Sequence, residues 1–340
     1  MTGTHPLRRL GKKRPLHRLL NTHPVTVALL GALLLISAAA PGVAGDLTLT
    51  LAAWNIEHLA AEDDRGCRPR EAAGYKAIRR YLGQAGADVI AFQEVENLRA
   101  AQRVFPASDY DIHISERPTR EFPECYDIAR DRLMQRTGFA VRKDLAARLR
   151  LKVVRQPDVR ELKGSHESGR WGVYIVLEPV AAEGGDLQPL HLLSIHLKSG
   201  CTYQAVGGKK ARENCRLLHG QVETLSGWIN ARARLDQDFI IAGDFNRQLD
   251  QLSDEVWLLL ESGGRSGTYV DLEKALQGIK HPRPYNPKYP FAIDHIVYNR
   301  ALDGLVVEEE TFFDVRADKY SDHLPLFTVF DLARSGGSED

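Results

Sequence analysis

Asp238-Phe239-Ile240-Ile241-Ala242-Gly243-Asp244-Phe245-Asn246-Arg247 is the stretch on which the reading of this chain turns. Four consecutive apolar residues, Phe239 to Ala242, are too few for a helix and suit a strand buried on both faces. The strand stops at a glycine, which lets the chain turn and lets another group approach the backbone closely. A carboxylate, an amide and a guanidinium follow at once. Gly, Asp and Asn are also the commonest turn formers, so this stretch alone leaves a polar site and an ordinary turn equally open.

The same design recurs on both sides. Leu47 to Leu51 alternates strictly, as a half-buried strand does, and runs into Trp54-Asn55-Ile56-Glu57. Asp88 to Phe92 is a second apolar strand, ending at Gln93-Glu94. Between the two, Ala77, Ile78, Tyr81, Leu82 and Ala85 fall on one helical face that Gly86 closes. Leu190 to Leu197 ends at His196 and Lys198, and Arg170 opens the strand Trp171 to Leu177. Leu218, Val222, Leu225 and Ile229 give the spacing of a long helix packed on the sheet before the opening stretch. Further on, Ala292 to Tyr298 reads as a strand carrying Asp294, and the last unit holds Ser321-Asp322-His323. The Cys201–Arg212 loop, with Lys209 and Lys210, reads either as a basic lip over a phosphate or as solvated surface. His281 to Pro290 is a loop rich in Pro and Tyr. No repeat or low-complexity linker divides the chain, so one domain is expected over residues 46–334, with a flexible tail at 335–340.

The first 45 residues stand apart. They hold six Lys/Arg and no acid, then the apolar run Val25 to Ala40, then small residues. That is the layout of a secretory signal peptide, with cleavage expected near Ala44 or Gly45. An uncleaved N-terminal membrane anchor is the alternative; otherwise no stable membrane span is expected. Arg8-Arg9 lies too far from the apolar run for a twin-arginine signal. Without this segment 39 Lys/Arg face 45 Asp/Glu, a net charge of −6. That excludes a strong non-specific nucleic-acid binder but not an enzyme touching a few phosphates. The four cysteines, Cys67, Cys125, Cys201 and Cys215, form no C-x-x-C, which argues against structural zinc. In an exported chain they favour disulfides, with Cys201–Cys215 and Cys67–Cys125 the expected pairing of three that are possible.

Six polar strand ends thus accumulate: Asn55, Glu94, His196, Asp244 with Asn246, Asp294, and Asp322 with His323. Oxygen ligands without sulfur suit a hard cation, Mg²⁺ first and Mn²⁺ or Ca²⁺ as substitutes. Two histidines beside carboxylates suit acid–base work, and an Asn and an Arg suit phosphate oxygens.

The set Trp54-Asn55, Gln93-Glu94, His196-Leu197-Lys198, Gly243-Asp244-Phe245-Asn246, Ile293-Asp294-His295 and Ser321-Asp322-His323 resembles the endonuclease/exonuclease/phosphatase superfamily, in the family's order, from Leu47 to Phe330. The resemblance implies a four-layer α/β (α+β) sandwich of the DNase I-like kind, two mixed sheets face to face with helices outside. It also implies metal-dependent phosphate-ester hydrolysis. Glu94 would be the principal metal ligand, with Asn55 beside it and Asp322 near. Asp244 would orient the attacking water, Asn246 would bind the scissile phosphate, and Asp294 would hold His323. His196 is the other acid–base candidate; Arg170, Lys198 and Arg247 are candidates for substrate phosphate. Arg247 after the motif is similar to the cytolethal-distending-toxin-type nuclease subunits. Nucleases of this kind support the His196 position with a glutamate near Gln135; here no acid stands there, so His196 is expected to serve as a phosphate donor. The Trp-Cys-Asp-Arg segment of phosphoinositide phosphatases is absent.

The expectation is therefore an exported phosphodiesterase, foremost an extracellular or periplasmic nuclease acting on nucleic acid, monomeric and without a protein partner. A phosphomonoesterase or a phospholipid-directed, sphingomyelinase-like enzyme is the alternative, and the acidic charge leans mildly towards it. A non-catalytic binding protein on the same fold needs a missing catalytic residue, and none of the six positions is missing.

Overall fold

The structure is a computed structural model describing residues 47–166, 169–180, 188–263, 267–283 and 290–333. The expected signal segment, the C-terminal tail and positions 284–289 of the Pro/Tyr loop lie outside the described residues.

The first half of the chain lays down β1 (Thr48–Leu59), α1 (Ala72–Ala85), β2 (Val89–Val95), α2 (Leu98–Val104), β3 (Tyr110–Ile114) and β4 (Arg136–Arg142). Next come α3 (Leu145–Leu149), β5 (Leu151–Arg155), β6 (Val173–Pro179) and β7 (Leu190–His196). The long α4 (Glu213–Ala233) leads to β8 (Asp238–Asp244), followed by α5 (Glu255–Glu261) and β9 (Leu272–Lys274). Finally β10 (Asp294–Asn299), β11 (Val306–Phe313) and β12 (Leu326–Asp331) complete the strands.

Helix boundaries follow local chemistry. Gly86, at φ 73°, ends α1 by donating its N–H to Leu82 O. The Asn97 side chain accepts from Ala100 N to start α2, and Asp254 caps both Val256 N and Trp257 N at the head of α5.

Two six-stranded mixed sheets result, ordered β11-β12-β1-β2-β4-β3 and β5-β6-β7-β8-β10-β9. Within each, a single parallel pair, β1/β2 or β7/β8, sits at the centre and every other pairing is antiparallel. Each parallel pair is joined across its outer face by one helix, α1 or α4. The sheets therefore share one plan, strand for strand, although no repeat is visible in the sequence.

Strand alternation sorts the apolar residues into layers. Leu49, Leu51, Ala53, Val89, Ala91, Leu192, Ile240 and Ala242 fill the space between the sheets. Ala52, Trp54, Ile90 and Phe92 point the other way, against Tyr75, Ile78, Tyr81 and Leu82 of α1. Leu193, Ile195, Phe239 and Ile241 pack against Leu218, Val222, Leu225 and Ile229 of α4. Each of those helix residues is fully buried, and such a side chain contributes roughly 1.5–3 kcal/mol. Helices outside and sheets inside give the four layers expected of the sequence.

Two disulfides close the loops as expected, Cys67–Cys125 and Cys201–Cys215, and no described cysteine is free. Among the described residues no helix is long and apolar enough to cross a membrane.

Candidate active site

Parallel central strands end on the same side, and that is what gathers the polar residues. Glu94, His196 and Asp244 stand at the carboxyl ends of β2, β7 and β8, and Asn55 lies where the regular pairing of β1 with β2 breaks off. The antiparallel neighbours begin where these strands finish. Asp294 opens β10 directly opposite Asp244, and His196 pairs with Asp244 from the other side. Gly243 makes the close pairing possible: its φ is 143°, and a Cβ there would lie 2.2 Å from Ile195 O.

His323 precedes β12 and is tied across to β1. Trp54 Nε1 donates to His323 O at 3.1 Å, Ser321 Oγ to Asn55 O at 2.7 Å, and Arg70 Nη2 to Tyr320 O at 2.8 Å. Three site residues hold left-handed backbone: His58 (φ 50°), Glu94 (φ 62°) and Asn246 (φ 53°). Asn tolerates this conformation. For His58 and Glu94 it stores strain, roughly 1–3 kcal/mol each.

Asp244 is the hub. Its Oδ2 accepts from Asn55 Nδ2 at 3.1 Å and faces His196 Nε2 at 3.2 Å and His323 Nε2 at 3.9 Å. Its Oδ1 accepts from Asn246 N at 2.7 Å. Burial alone would raise this carboxyl, but His196 and His323 overcome it and hold Asp244 well below the usual range. Burial pushes His196 down, assisted by Arg170, so its imidazole is neutral at neutral pH. The opposite holds at His323. Its Nδ1 lies 2.7 Å from Asp294 Oδ2, and the Asp294 and Asp244 carboxylates outweigh burial to hold it well above the usual histidine value. Burial pushes Asp294 up to about 6 in spite of that partner. One proton is thus shared by a His323–Asp294 pair, and His323 carries it.

Glu94 is kept ionised against its burial by His58, His196 and Arg170. Its Oε2 accepts from His58 N at 3.1 Å and faces His58 Nε2 at 3.5 Å, while its Oε1 lies 3.9 Å from His196 Nε2. Arg170 spends three donors inside the protein: Nε to His196 O at 3.0 Å, Nη1 to Gln135 Oε1 at 3.2 Å and Nη2 to Leu197 O at 2.5 Å. A guanidinium has five N–H groups, so two remain for the cavity.

That cavity, about 360 Å³, is lined by Glu94, Arg170, His196, Lys198, Asp244, Asn246 and His323. Asn55 and Asp294 stand behind this lining, bonded to Asp244 and His323. Asp322 is peripheral, its side chain 66% exposed and its Oδ1 4.0 Å from His323 Nε2. Arg247 does not reach the site. It is 2% exposed and turned inward, bonded to Asp254 Oδ2 at 2.7 Å, Cys201 O at 3.0 Å and Gln204 O at 2.6 Å. The residue following Asn246 projects to the opposite side of the chain, so a phosphate contact is corrected to a structural ion pair. Lys209 and Lys210 are solvent-exposed and absent from the lining, as a surface loop requires.

Sequence reasoning missed His58 as a lining residue, while Gln135, expected near His196, lines the cavity too. Gln135 Nε2 faces His58 Nε2 at 3.4 Å, while its oxygen serves Arg170. No spacing announces His58, because the left-handed turn at Glu57-His58 breaks the alternation of β1.

The donors suit a hard divalent cation: carboxylates, an amide oxygen and imidazole, without sulfur. Asp244, Asp294 and His323 each offer an atom within 4.8 Å of the others, a group that could hold a metal only with His323 deprotonated. Asp294 Oδ1 is buried without a hydrogen-bond partner, a further oxygen open to a cation.

The Endonuclease/Exonuclease/phosphatase family profile matches residues 52–323, from β1 through His323. The chain belongs to this family. Its architecture is accordingly that of phosphoester hydrolases, whose members act on nucleic acids and other phosphodiesters. Among solved structures it is similar to the human Nocturnin catalytic domain with bound sulfate, at 17% identity and a TM-score of 0.56, covering 84% of this chain and 94% of that one. An AP endonuclease from Archaeoglobus fulgidus is similar at 16% identity and TM-score 0.50, covering 83% and 99%. TDP2 from C. elegans gives 16%, 0.50, 84% and 74%. At these identities the likeness is one of fold. No curated protein matches the chain.

Proposed function

We propose that this protein is an exported, divalent-metal-dependent phosphodiesterase, and that its substrate is nucleic acid. The observation that carries the reading is the convergence of Asn55, Glu94, His196, Asp244, Asn246, Asp294 and His323 at one end of both sheets. Their hydrogen bonds complete a base, an acid and a set of phosphate donors.

The roles follow from charge state. A phosphodiester in the cavity meets Arg170 and the Asn246 amide as donors, beside a neutral His196 whose one N–H faces Asp244. Asp244, ionised and fixed by Asn55, orients a water for in-line attack on phosphorus. Protonated His323 faces the same centre, where its charge offsets the charge that builds on the phosphoryl oxygens. The new P–O bond comes from water, which gives its proton to Asp244, and the bond to the departing alcohol breaks as that alcohol takes a proton from His323. Glu94 would hold the metal, with Asn55 beside it and Asp322 at the rim. When bound, such a cation neutralises phosphate charge and polarises the P–O bonds.

Two features support export: the basic-then-apolar layout of residues 1–45, and two disulfides, which suit an oxidising compartment.

Purified protein should hydrolyse bis(p-nitrophenyl) phosphate with Mg²⁺, and EDTA should abolish the activity. Asp244→Ala and His323→Ala should each cost at least about a hundredfold in rate. Unchanged activity in either variant would falsify the assignment. A panel of plasmid DNA, RNA, sphingomyelin and inositol phosphates tests the substrate; headgroup release from the lipid with both polymers intact overturns the nuclease reading.

A further inference from the structure

One wall of the active-site cavity plays no part in the chemistry above. It is formed by the loop between β3 and β4, which contributes Phe122, Tyr126 and Arg132. The loop is fixed in place. Glu124 and Asp131 form a β-bridge, Cys125 N donates to Arg130 O at 2.9 Å, and the Cys67–Cys125 disulfide anchors the residue next to Tyr126. Arg65 pairs with Asp131 at 3.3 Å from the neighbouring segment.

On this anchored loop Tyr126 is 93% exposed, its aromatic face open to solvent. The Arg132 guanidinium lies 4.9 Å from its centroid. Lys163 and Lys198 line the cavity from other segments, and among the described lining residues the acids are Glu94 and Asp244. The wall thus combines flat aromatic faces with positive charge, and Tyr126 is the one large hydrophobic side chain of the lining that is exposed. An enzyme that docks on a lipid surface needs several apolar side chains at its rim. A polynucleotide strand needs aromatic faces for its bases and cations for its phosphates.

We propose that the Phe122–Arg132 wall is a stacking platform for unpaired bases, so that the preferred substrate is single-stranded nucleic acid. The strand's scissile phosphate sits between Arg170 and His323, a flanking base lies on Tyr126, and flanking phosphates face Arg132, Lys163 and Lys198. A duplex keeps its base faces stacked inside and cannot use the platform without unpairing.

The proposal rests on the hydrolase reading and is tested separately from it. Steady-state kinetics would compare a single-stranded oligonucleotide, its blunt duplex and bis(p-nitrophenyl) phosphate for wild type, Tyr126→Ala and Tyr126→Phe. Wild type should prefer the single strand to the duplex by roughly tenfold or more, the scale of one lost stack. In Tyr126→Ala, kcat/KM for the single strand relative to the small diester should fall about tenfold, chiefly through KM, and Tyr126→Phe should restore it. An unchanged ratio in Tyr126→Ala, or a duplex cleaved as readily as the single strand, overturns the platform. So does phospholipid cleavage with both polymers intact. If wild type fails on the small diester the hydrolase reading fails instead. Anisotropy of a labelled single strand then still decides the platform: weaker binding by Tyr126→Ala supports it, and equal binding overturns it.

Discussion

Replacing Asp294 by Asn keeps the size of the side chain and removes its charge, which makes it the sharpest probe of the proton that His323 carries. His323 Nδ1 is 2.7 Å from Asp294 Oδ2, and His323 Nε2 is 3.9 Å from Asp244 Oδ2. Attraction falls as the inverse of distance, so Asp294 supplies roughly 60% of the pull from these two carboxylates. An opposite charge at such range typically moves a pKa by about 1–3 units. Asp294→Asn should therefore bring His323 down by about that amount, with Asp244 and the exposed Asp322 left to oppose burial. The sign is fixed by the direction of the native shift. His323 is held up, so the wild-type imidazolium survives to high pH and the variant loses it first there. The charged fraction, and with it kcat, should therefore fall more at pH 8.5 than at pH 5.5, by up to about ten- to a thousandfold, the ceiling that such a shift sets. Initial rates on bis(p-nitrophenyl) phosphate at saturating Mg²⁺, across that range and beside circular dichroism to verify folding, read both losses. A loss of equal size at both ends of the range refutes the charged-imidazole role and leaves Asp294 as a packing residue.

Three further expectations concern the scaffold. Arg247→Met leaves Asp254 buried without its partner and should cost about 3–5 kcal/mol, lowering Tm by roughly 10 °C. Because Arg247 does not reach the cavity, kcat at 25 °C should change less than tenfold; a hundredfold loss would return it to the phosphate site. His191, buried beside Arg232, is pushed down to about 4, so as pH falls below 6.5 the unfolded chain takes up a proton that the folded one refuses. Stability of about 2 kcal/mol should disappear between pH 6.5 and 4, and urea midpoints should show that loss shrinking in His191→Gln. Reduction should cost about 4 kcal/mol for the 58-residue Cys67–Cys125 closure and about 3 for the 14-residue Cys201–Cys215 closure, read as a lower urea midpoint with reductant than without.

What the sequence disclosed and what it concealed divide along physical lines. The strands β2, β7, β8 and β10 are covered on both faces and spell themselves as apolar runs, and β1 shows itself by alternation at its start. Three of the four edge strands, β5 (LKVVR), β9 (LEK) and β11 (VVEEETFF), mix charge with apolar residues, as exposed edges do, and carry no comparable pattern. At the site, a carboxylate or imidazole placed straight after an apolar run is visible because nothing else about such a run calls for one. Position relative to the strand axis is harder. Asn246 and Arg247 are neighbours, yet one lines the cavity and the other is sealed inside against Asp254. His58 and Gln135 arrive through a left-handed turn and a loop end, where no periodicity operates.

The shared plan of the two sheets explains why these particular positions face one another. Matching them strand for strand pairs β1 with β7, β2 with β8, β4 with β10, and β12 with β6. Asn55 on β1 then answers to His196 at the end of β7, and Glu94 on β2 to Asp244 on β8. Asp294, opening β10, answers to Gln135, which stands just before β4; His323 before β12 answers to Arg170 before β6. The hydrogen bonds obey the same correspondence, each joining the two halves: His323 to Asp294, and Arg170 to Gln135. The correspondence stays hidden in the sequence because β5 and β6 come before the βαβ unit in one half, whereas β11 and β12 follow the other at the far end of the chain. It also accounts for the missing acid. A carboxylate at Asp294 raises a histidine and supplies a titratable proton, whereas the neutral amide at Gln135 orients an arginine whose charge needs no raising. One half of the frame thus carries the mobile proton and the other a permanent positive charge, and the phosphate is placed between them.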